Sequence, residues 1–440
     1  MQAMFFERFD DALRELHADE VLLANFEGER SDFVRFNHAR VRQPGSVRQA
    51  YLSLTLTDGR RRCVSSLTLT GAADPDRDAI HHAIARMRDT LPSLPEDPYL
   101  LYSTAADRSE TIRDGRLPSA AESIDTVVTA GAGSDLVGIF ASGPIYRGFA
   151  NSFGARHWHA VDAFQFDWST FHAGDKAVKR AYAGSSWDAQ VLATRIQQAR
   201  AELVHLALPV KVVEPGEYRV YLAPAAVNEL IGMLDWDGVS ERAQRTKSSP
   251  LQRLVEGDAA LATGIHLAER YDQGLAPLFD AAGFTRPPAI DLIRAGRHAG
   301  ALISARSGKE YGIASNGADA SESMQAPSLE GGLLAAADAL TALGTGLYIS
   351  NLWYLNFSDR PACRITGMTR FASFWVESGR IVAPLSVMRF DDSLYRMLGS
   401  NLESLTGETE WILDASTYDQ RSVRTSRMPG ALVAGIRFTL

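Results

Sequence analysis

Cysteine is nearly absent: the 440-residue chain has two, Cys63 and Cys363. They stand far apart in sequence, so no disulfide framework is implied and a reducing compartment is the simplest setting. Long apolar runs are missing too; none reaches the roughly 18 residues that would suggest a membrane-spanning helix. The N-terminal Met-Gln-Ala-Met-Phe-Phe-Glu-Arg-Phe-Asp-Asp is interrupted by charge within a few positions and does not read as a secretory signal. Cytoplasmic localisation, with no membrane partner, is therefore expected. No long Lys/Arg run occurs and the formal net charge is −8. A nucleic-acid binder needs a basic surface, so no nucleic-acid partner is expected either. There is no Gly-x-Ser-x-Gly elbow. The glycines at 131 and 133 lack the strand, lysine and spacing of a phosphate loop, and read as a turn. No internal repeat or low-complexity segment stands out.

What is present is a globular composition, 45% hydrophobic and 22% charged, which excludes a disordered chain. At roughly 100–200 residues per domain, two or three domains are expected. Apolar residues at helical spacing (Phe5, Phe9, Leu13, Leu16) predict an amphipathic helix over 5–16. Strand-like runs follow at 20–26, 32–41 and 46–57, with Thr57-Asp58-Gly59-Arg60 as a hairpin turn into 61–70. A helix is predicted over 76–91, then a proline-rich loop at 92–98. Strands are predicted at 137–141, 146–151 and 157–168, and a strong helix over 189–207 that Leu208-Pro209 ends. Beyond it come a strand at 218–222 and a helix from Pro224 to Leu234. Glycine-punctuated strands follow at 289–294, 300–304, 346–351, 372–376 and 380–384, with an apolar tail strand over 431–440. The fold class is α+β: an N-terminal domain of mixed sheet and helix over 1–208, then a β-rich domain over 209–440.

Several collinear pieces resemble the TldD/TldE family, whose TldE member is also called PmbA and which is often labelled a modulator of DNA gyrase. They are Phe149-Ala150-Asn151-Ser152-Phe153-Gly154; Gly296-Arg297-His298-Ala299-Gly300 through Lys309-Glu310-Tyr311-Gly312 to Ser315-Asn316-Gly317; Gly344-Thr345-Gly346-Leu347; and Thr366-Gly367 followed by Val376-Glu377-Ser378-Gly379-Arg380-Ile381. The resemblance implies a mostly antiparallel, barrel-like second domain with flanking helices. It also implies TldD/TldE heterodimers in which only TldD holds zinc, acting on unfolded or ribosomally made peptides.

In the zinc-bearing members a His-Glu-x-x-x-His helix and a cysteine near the C-terminus hold the metal. Here the corresponding stretch is Asn228-Glu229-Leu230-Ile231-Gly232-Met233. Asn228 offers a neutral amide, a poor zinc donor; Met233 offers a thioether, suited to copper(I). The cysteine-bearing tail falls near 416–428, which has no cysteine. A catalytic zinc wants three protein ligands and one open position, so no cofactor is expected. Residues i and i+5 of a regular helix point about 140° apart. They could share an ion only if the helix were loosened, as by a π-type bulge, which Gly232 would ease. Glu229 occupies the general-base position; without metal it reads as a helix residue kept for a hydrogen bond or salt bridge. The stretch Arg245-Thr246-Lys247-Ser248-Ser249-Pro250-Leu251 resembles a TldE feature.

His157 and His159 share a strand face and, lacking a third ligand, read as solvated or packing residues. Cys363 lies near Arg360 and Arg364, which would lower its thiol pKa. Trp353, Tyr354 and Phe357 read as core, with the wall of a peptide groove as the other reading. The functional expectation is a TldE-like subunit without metal, pairing with a TldD-like zinc-bearing chain or with itself. Arg297, Lys309, Asn316 and Thr366 are the candidate peptide contacts. The rival readings are a stand-alone enzyme with changed chemistry and a non-enzymatic regulator.

Overall fold

The computed structural model describes residues 1–174, 176–417 and 419–439. In the first half, α1 (Gln2–Leu13) buries Phe5, Phe9 and Ala12 as its spacing predicts. It is followed by β1 (Glu20–Asn37), β2 (Arg40–Asp58), β3 (Arg61–Thr68), α2 (Ala73–Thr90), β4 (Arg108–Arg113), α3 (Ala120–Ala130), β5 (Asp135–Asn151), β6 (Arg156–Ala173), β7 (Lys176–Gly184) and α4 (Ala189–Leu206). The strands form one sheet in the order β3-β2-β1-β5-β6, and the far edge of β6 is shared by β4 and β7. α1 and α2 cover one face through Phe5, Phe9, Ile80 and Ile84 against Leu22, Phe26, Leu52 and Leu54. Burying each of these large side chains is worth roughly 1.5–3 kcal/mol. Asp188 caps α4, accepting from Gln190 N at 2.8 Å.

Two expectations are corrected here. The runs at 20–26 and 32–41 are one strand up to Asn37, and the chain turns at His38 and Ala39, whose φ values are 48° and 52°. The polar stretch between the runs stays in the strand because buried Glu29 and Ser31 satisfy each other at 2.7 Å. Likewise 137–141 and 146–151 are both part of β5, with Gly143 and Pro144 inside the strand.

The second half runs through β8 (Gly216–Leu222), α5 (Pro224–Gly232), α6 (Glu241–Arg245), α7 (Gln252–Val255), β9 (Leu267–Glu269), β10 (Ile290–Arg294), β11 (Arg297–His298), α8 (Ala305–Tyr311) and β12 (Pro327–Leu329). It closes with α9 (Ala339–Leu343), β13 (Gly346–Asp359), β14 (Arg364–Glu377), β15 (Arg380–Pro384), β16 (Arg389–Ser393), β17 (Leu402–Leu413) and β18 (Thr425–Phe438). The pairings run β18-β16-β14-β13-β8, and β8 pairs back onto β18. The β16–β18 link is one residue pair, Phe390 with Phe438, so the structure is barrel-like without a full ladder closing it. Pairing is antiparallel except β8–β13 and β12–β18. α5 fills one end, placing Val227, Leu230 and Ile231 in the core with Leu222, Ile349 and Val433. The predicted strand at 300–304 is reduced to bridges at Leu302 and Ser304. Leu440 of the predicted tail strand lies outside the described residues, as does Tyr418 of the 416–428 stretch. Among the described residues no helix is long and apolar enough to cross a membrane.

The sheets are joined by more than their connecting segment. Ile145, Val161 and Ala163 share a core with Tyr271, Leu413 and Val423. Beside it Arg421, in the β17–β18 connection, is fully buried in the first sheet. Its guanidinium donates to Gly143 O at 3.0 Å, Ala163 O at 2.8 Å and Ser31 Oγ at 3.3 Å. Gly143 has φ 141°, and a Cβ there would lie 2.0 Å from Arg30 O, so only glycine lets β5 approach β1 this closely. Burial pushes Arg421 down to about 10, with Glu29 and Asp162 opposing. Arg421→Ala would leave the Gly143 and Ala163 carbonyls without this donor, and is expected to cost about 1–3 kcal/mol. Thermal unfolding and limited proteolysis of the β17–β18 connection check this; an unchanged midpoint and cleavage pattern would show that the cation does not join the halves.

Candidate functional site

α5 starts where Pro224 occupies its first turn and Ala223 N donates to Ile349 O at 3.0 Å. One side of the helix (Ala226, Val227, Leu230, Ile231) is buried, leaving Asn228, Glu229 and Gly232 on the other. Asn228 and Gly232 line a cleft of about 290 Å³ with Asp414, Arg424 and Ser426. Met233 goes elsewhere: it is 5% exposed and packs in the core with Leu230 and Leu234. The helix does not loosen at Gly232, whose φ and ψ are −58° and −26°; it tightens into a 3₁₀ turn over Met233–Asp235. The π-type loosening that a shared ion would require is therefore absent at this point, and the two positions still diverge.

The residues do not fit zinc. The amide faces the cleft, the thioether faces the core, and the 416–428 stretch contributes Arg424 and Ser426. Arg424, bound to Asp235, places a cation beside the position a metal would need. Among the described residues no three His, Cys, Asp or Glu side chains cluster as a metal site would require.

Glu229 differs from its expectation. It makes no hydrogen bond or ion pair among the described residues, so it is not held as a structural salt bridge. Its residue surface is exposed, yet the surrounding chain raises its carboxyl pKa by desolvation, and Lys179 on β7 pulls it back.

The four candidate peptide contacts are scattered, and no hydrogen bond joins any two of them among the described residues. Arg297 sits at the β10–β11 turn, exposed, and Lys309 is exposed on α8. Asn316 is spent on the backbone, accepting from Ile303 N at 2.9 Å and donating to Ala301 O at 2.8 Å. Thr366 Oγ1 donates to Phe390 O at 3.0 Å.

Other expectations resolve as packing. His157 stacks between Phe149 and Phe279, with ring centroids 5.9 and 5.3 Å away. His159 Nε2 donates to Leu275 O at 2.9 Å. Cys363 is corrected: it is buried, and burial pushes its thiol up to about 12 against the pull of Arg360. The aromatic cluster is corrected as well, because Trp353 and Tyr354 are 51% and 76% exposed. Sequence reasoning singled out none of Asp414, Arg424 and Ser426: the first two lie in the β17–β18 connection and Ser426 on β18, and they meet α5 only in the fold.

Residues 215–440 match the family model described as the PmbA/TldA metallopeptidase C-terminal domain. The chain belongs to the PmbA/TldD family. Its fold matches that of a protein from Thermotoga maritima labelled a modulator of a DNA gyrase, at 14% identity and TM-score 0.77, covering 99% of this chain and 100% of that one. TldE from Thermococcus kodakarensis gives 13% identity and TM-score 0.77 over 99% and 100%. A second protein labelled a modulator of DNA gyrase, from Bacteroides thetaiotaomicron, gives 14% and 0.75 over 99% and 98%. A search of curated proteins found no match. This member keeps the family scaffold while its α5 carries a donor set unsuited to the family's metal.

Two outcomes follow. Asn228→His with Met233→His is expected to bind no stoichiometric zinc, and to lose about 1–3 kcal/mol from burying an unsatisfied imidazole. Stoichiometric zinc by elemental analysis would show that the helix can bring both positions together. Burial also lowers His159 from 6.5 to about 4, so the folded chain holds it neutral. As pH falls below 6.5 the unfolded chain protonates first, and the stabilisation of roughly 3 kcal/mol is lost by about pH 4. Glu269, pushed up to about 7 by burial, contributes in the opposite sense. Comparison with His159→Gln cancels that effect. Urea melts should show the wild type losing more stability than the variant on acidification; equal losses would exclude His159 as the source.

Proposed function

We propose that this chain is a TldE-like, zinc-free subunit of a peptidase acting on unfolded or ribosomally made peptides. It pairs with a TldD-like zinc-bearing chain, or with itself where none is present, in the cytoplasm. Its units are residues 1–208 and 209–440. The observation that carries this reading is the α5 donor set: Asn228 in the cleft, Met233 in the core and no cysteine over 416–428. The subunit walls the chamber and holds peptide backbone as an added strand. Arg297 and Lys309 offer exposed charged heads to peptide, while Asn316 and Thr366 act by fixing the backbone that meets it. The TldE from Thermococcus kodakarensis, whose fold the chain shares, supports the partnership.

One observation favours a second reading, a stand-alone enzyme: Glu229 is accessible, has no hydrogen-bond or ion-pair partner among the described residues and has a raised carboxyl pKa, which is how a general base is tuned. The same experiment separates the two. The purified chain should carry no stoichiometric zinc and leave casein intact, and adding a TldD-like chain should produce chelator-sensitive cleavage. Chelator-sensitive cleavage by the chain alone would overturn the subunit reading. Metal-independent cleavage by the chain alone, abolished by Glu229→Gln, would establish the second.

A further inference from the structure

β13, β14 and β16 present a face to solvent on which aromatic rings lie among uncompensated cations. In the ladder, Asn351 pairs with Arg370 and Trp353 with Met368. Met368 pairs in turn with Arg389, and Thr366 with Asp391. Directly opposed residues share a face of the sheet, so Trp353, Met368, Arg370 and Arg389 point the same way. The guanidinium of Arg370 lies 4.7 Å from the Trp353 ring centroid and 5.3 Å from that of Phe371. Arg389 is exposed and donates to Thr366 Oγ1 at 3.0 Å. Neither arginine forms an ion pair among the described residues. Asp391, the acid beside them in the ladder, is taken by Arg364.

The backbone here is shaped to hold these groups. Tyr354 and Phe371 both have φ 57°, and the register slips at each of them. A bulge re-aims the side chain it carries, and a non-glycine residue in the left-handed region is strained. The strain serves no burial at Tyr354, which is 76% exposed. Arg370 and Arg389 are diagonal neighbours on one face, an arrangement that repels without an anion between them.

We propose that this face is a docking surface for an extended acidic segment of polypeptide. Its carboxylates meet Arg370 and Arg389, and its apolar atoms lie on Trp353 and Tyr354. The proposal takes its ligand class from the peptide-handling reading above and adds the charge preference and the place. Charge complementarity selects this occupant. Two uncompensated cations on a chain of net charge −8 fall short of the many phosphate contacts that hold nucleic acid. A two-fold contact with a second copy through this face would bring two like-charged faces together.

The test is fluorescence anisotropy with the full chain and two labelled peptides, unstructured Gly/Ser sequences with one leucine and with either glutamates or lysines at the same places. The glutamate peptide should bind about tenfold tighter, with the preference shrinking as salt rises. Arg370→Ala with Arg389→Ala should remove the preference, Trp353→Ala should weaken both peptides, and circular dichroism should show all variants folded. Equal binding of the two peptides, binding of neither, or an unchanged preference in the folded double-arginine variant overturns the proposal. So does tighter binding of a single-stranded oligonucleotide, or a molecular mass by light scattering that these substitutions reduce. Zinc content and cleavage with a TldD-like chain are read separately, so the docking surface can fail while the subunit reading stands, and the reverse.

Discussion

A cation removed from water must find its hydration replaced by protein, and Arg421 shows how much of this molecule is arranged to do that. Its guanidinium enters the first sheet from the β17–β18 connection of the second and takes two backbone carbonyls and the Ser31 hydroxyl. Glu29 supplies the opposing charge. The glycine at 143, whose carbonyl is one of the two, is required because any Cβ would collide with the neighbouring strand. Desolvation costs several kcal/mol per ion, so an unpaired arrangement could not persist. With the cation seated, the β17–β18 connection is drawn against the first sheet, and the apolar contacts of Val423 with Ile145 and Val161 form beside it.

That placement sets the cleft over α5. The same connection brings Asp414 and Arg424, and the start of β18 brings Ser426, to the exposed side of the helix. The geometry of α5 then decides what the cleft can be. Its buried side closes the end of the barrel-like sheet, which pins the helix rotation and sends Met233 inward and Asn228 outward. Arg424 lies where a second cation would be repelled. The scaffold is the family's, and the chemistry of its metal position is not.

Much of the fold is legible in the chain. The helix at α1, the hairpin turn at Gly59, the helix ended by Leu208-Pro209 and the proline start of α5 follow from local rules that tertiary contacts reinforce. Misreadings occur where long-range partners reverse a local signal. The 27–31 stretch is polar enough to look like a loop, yet its buried groups are satisfied by one another, by Gln49 and by Arg421. Cys363 has arginines nearby in sequence that would favour a thiolate, but burial dominates. Trp353 and Tyr354 look like core, but two bulges turn that part of the hairpin outward.

The candidate site divides in the same way. The sequence alone determined that the metal positions hold an amide and a thioether and that the C-terminal stretch has no thiol, because donor chemistry belongs to the side chain wherever it lies. It also determined the family, through motifs whose order and spacing survive with little overall identity. Only the tertiary structure decided that Asn228 and Met233 face opposite environments, that Glu229 finds no partner among the described residues, and that two arginines share an open face. Those properties depend on which elements pack together, and residues hundreds of positions apart set them.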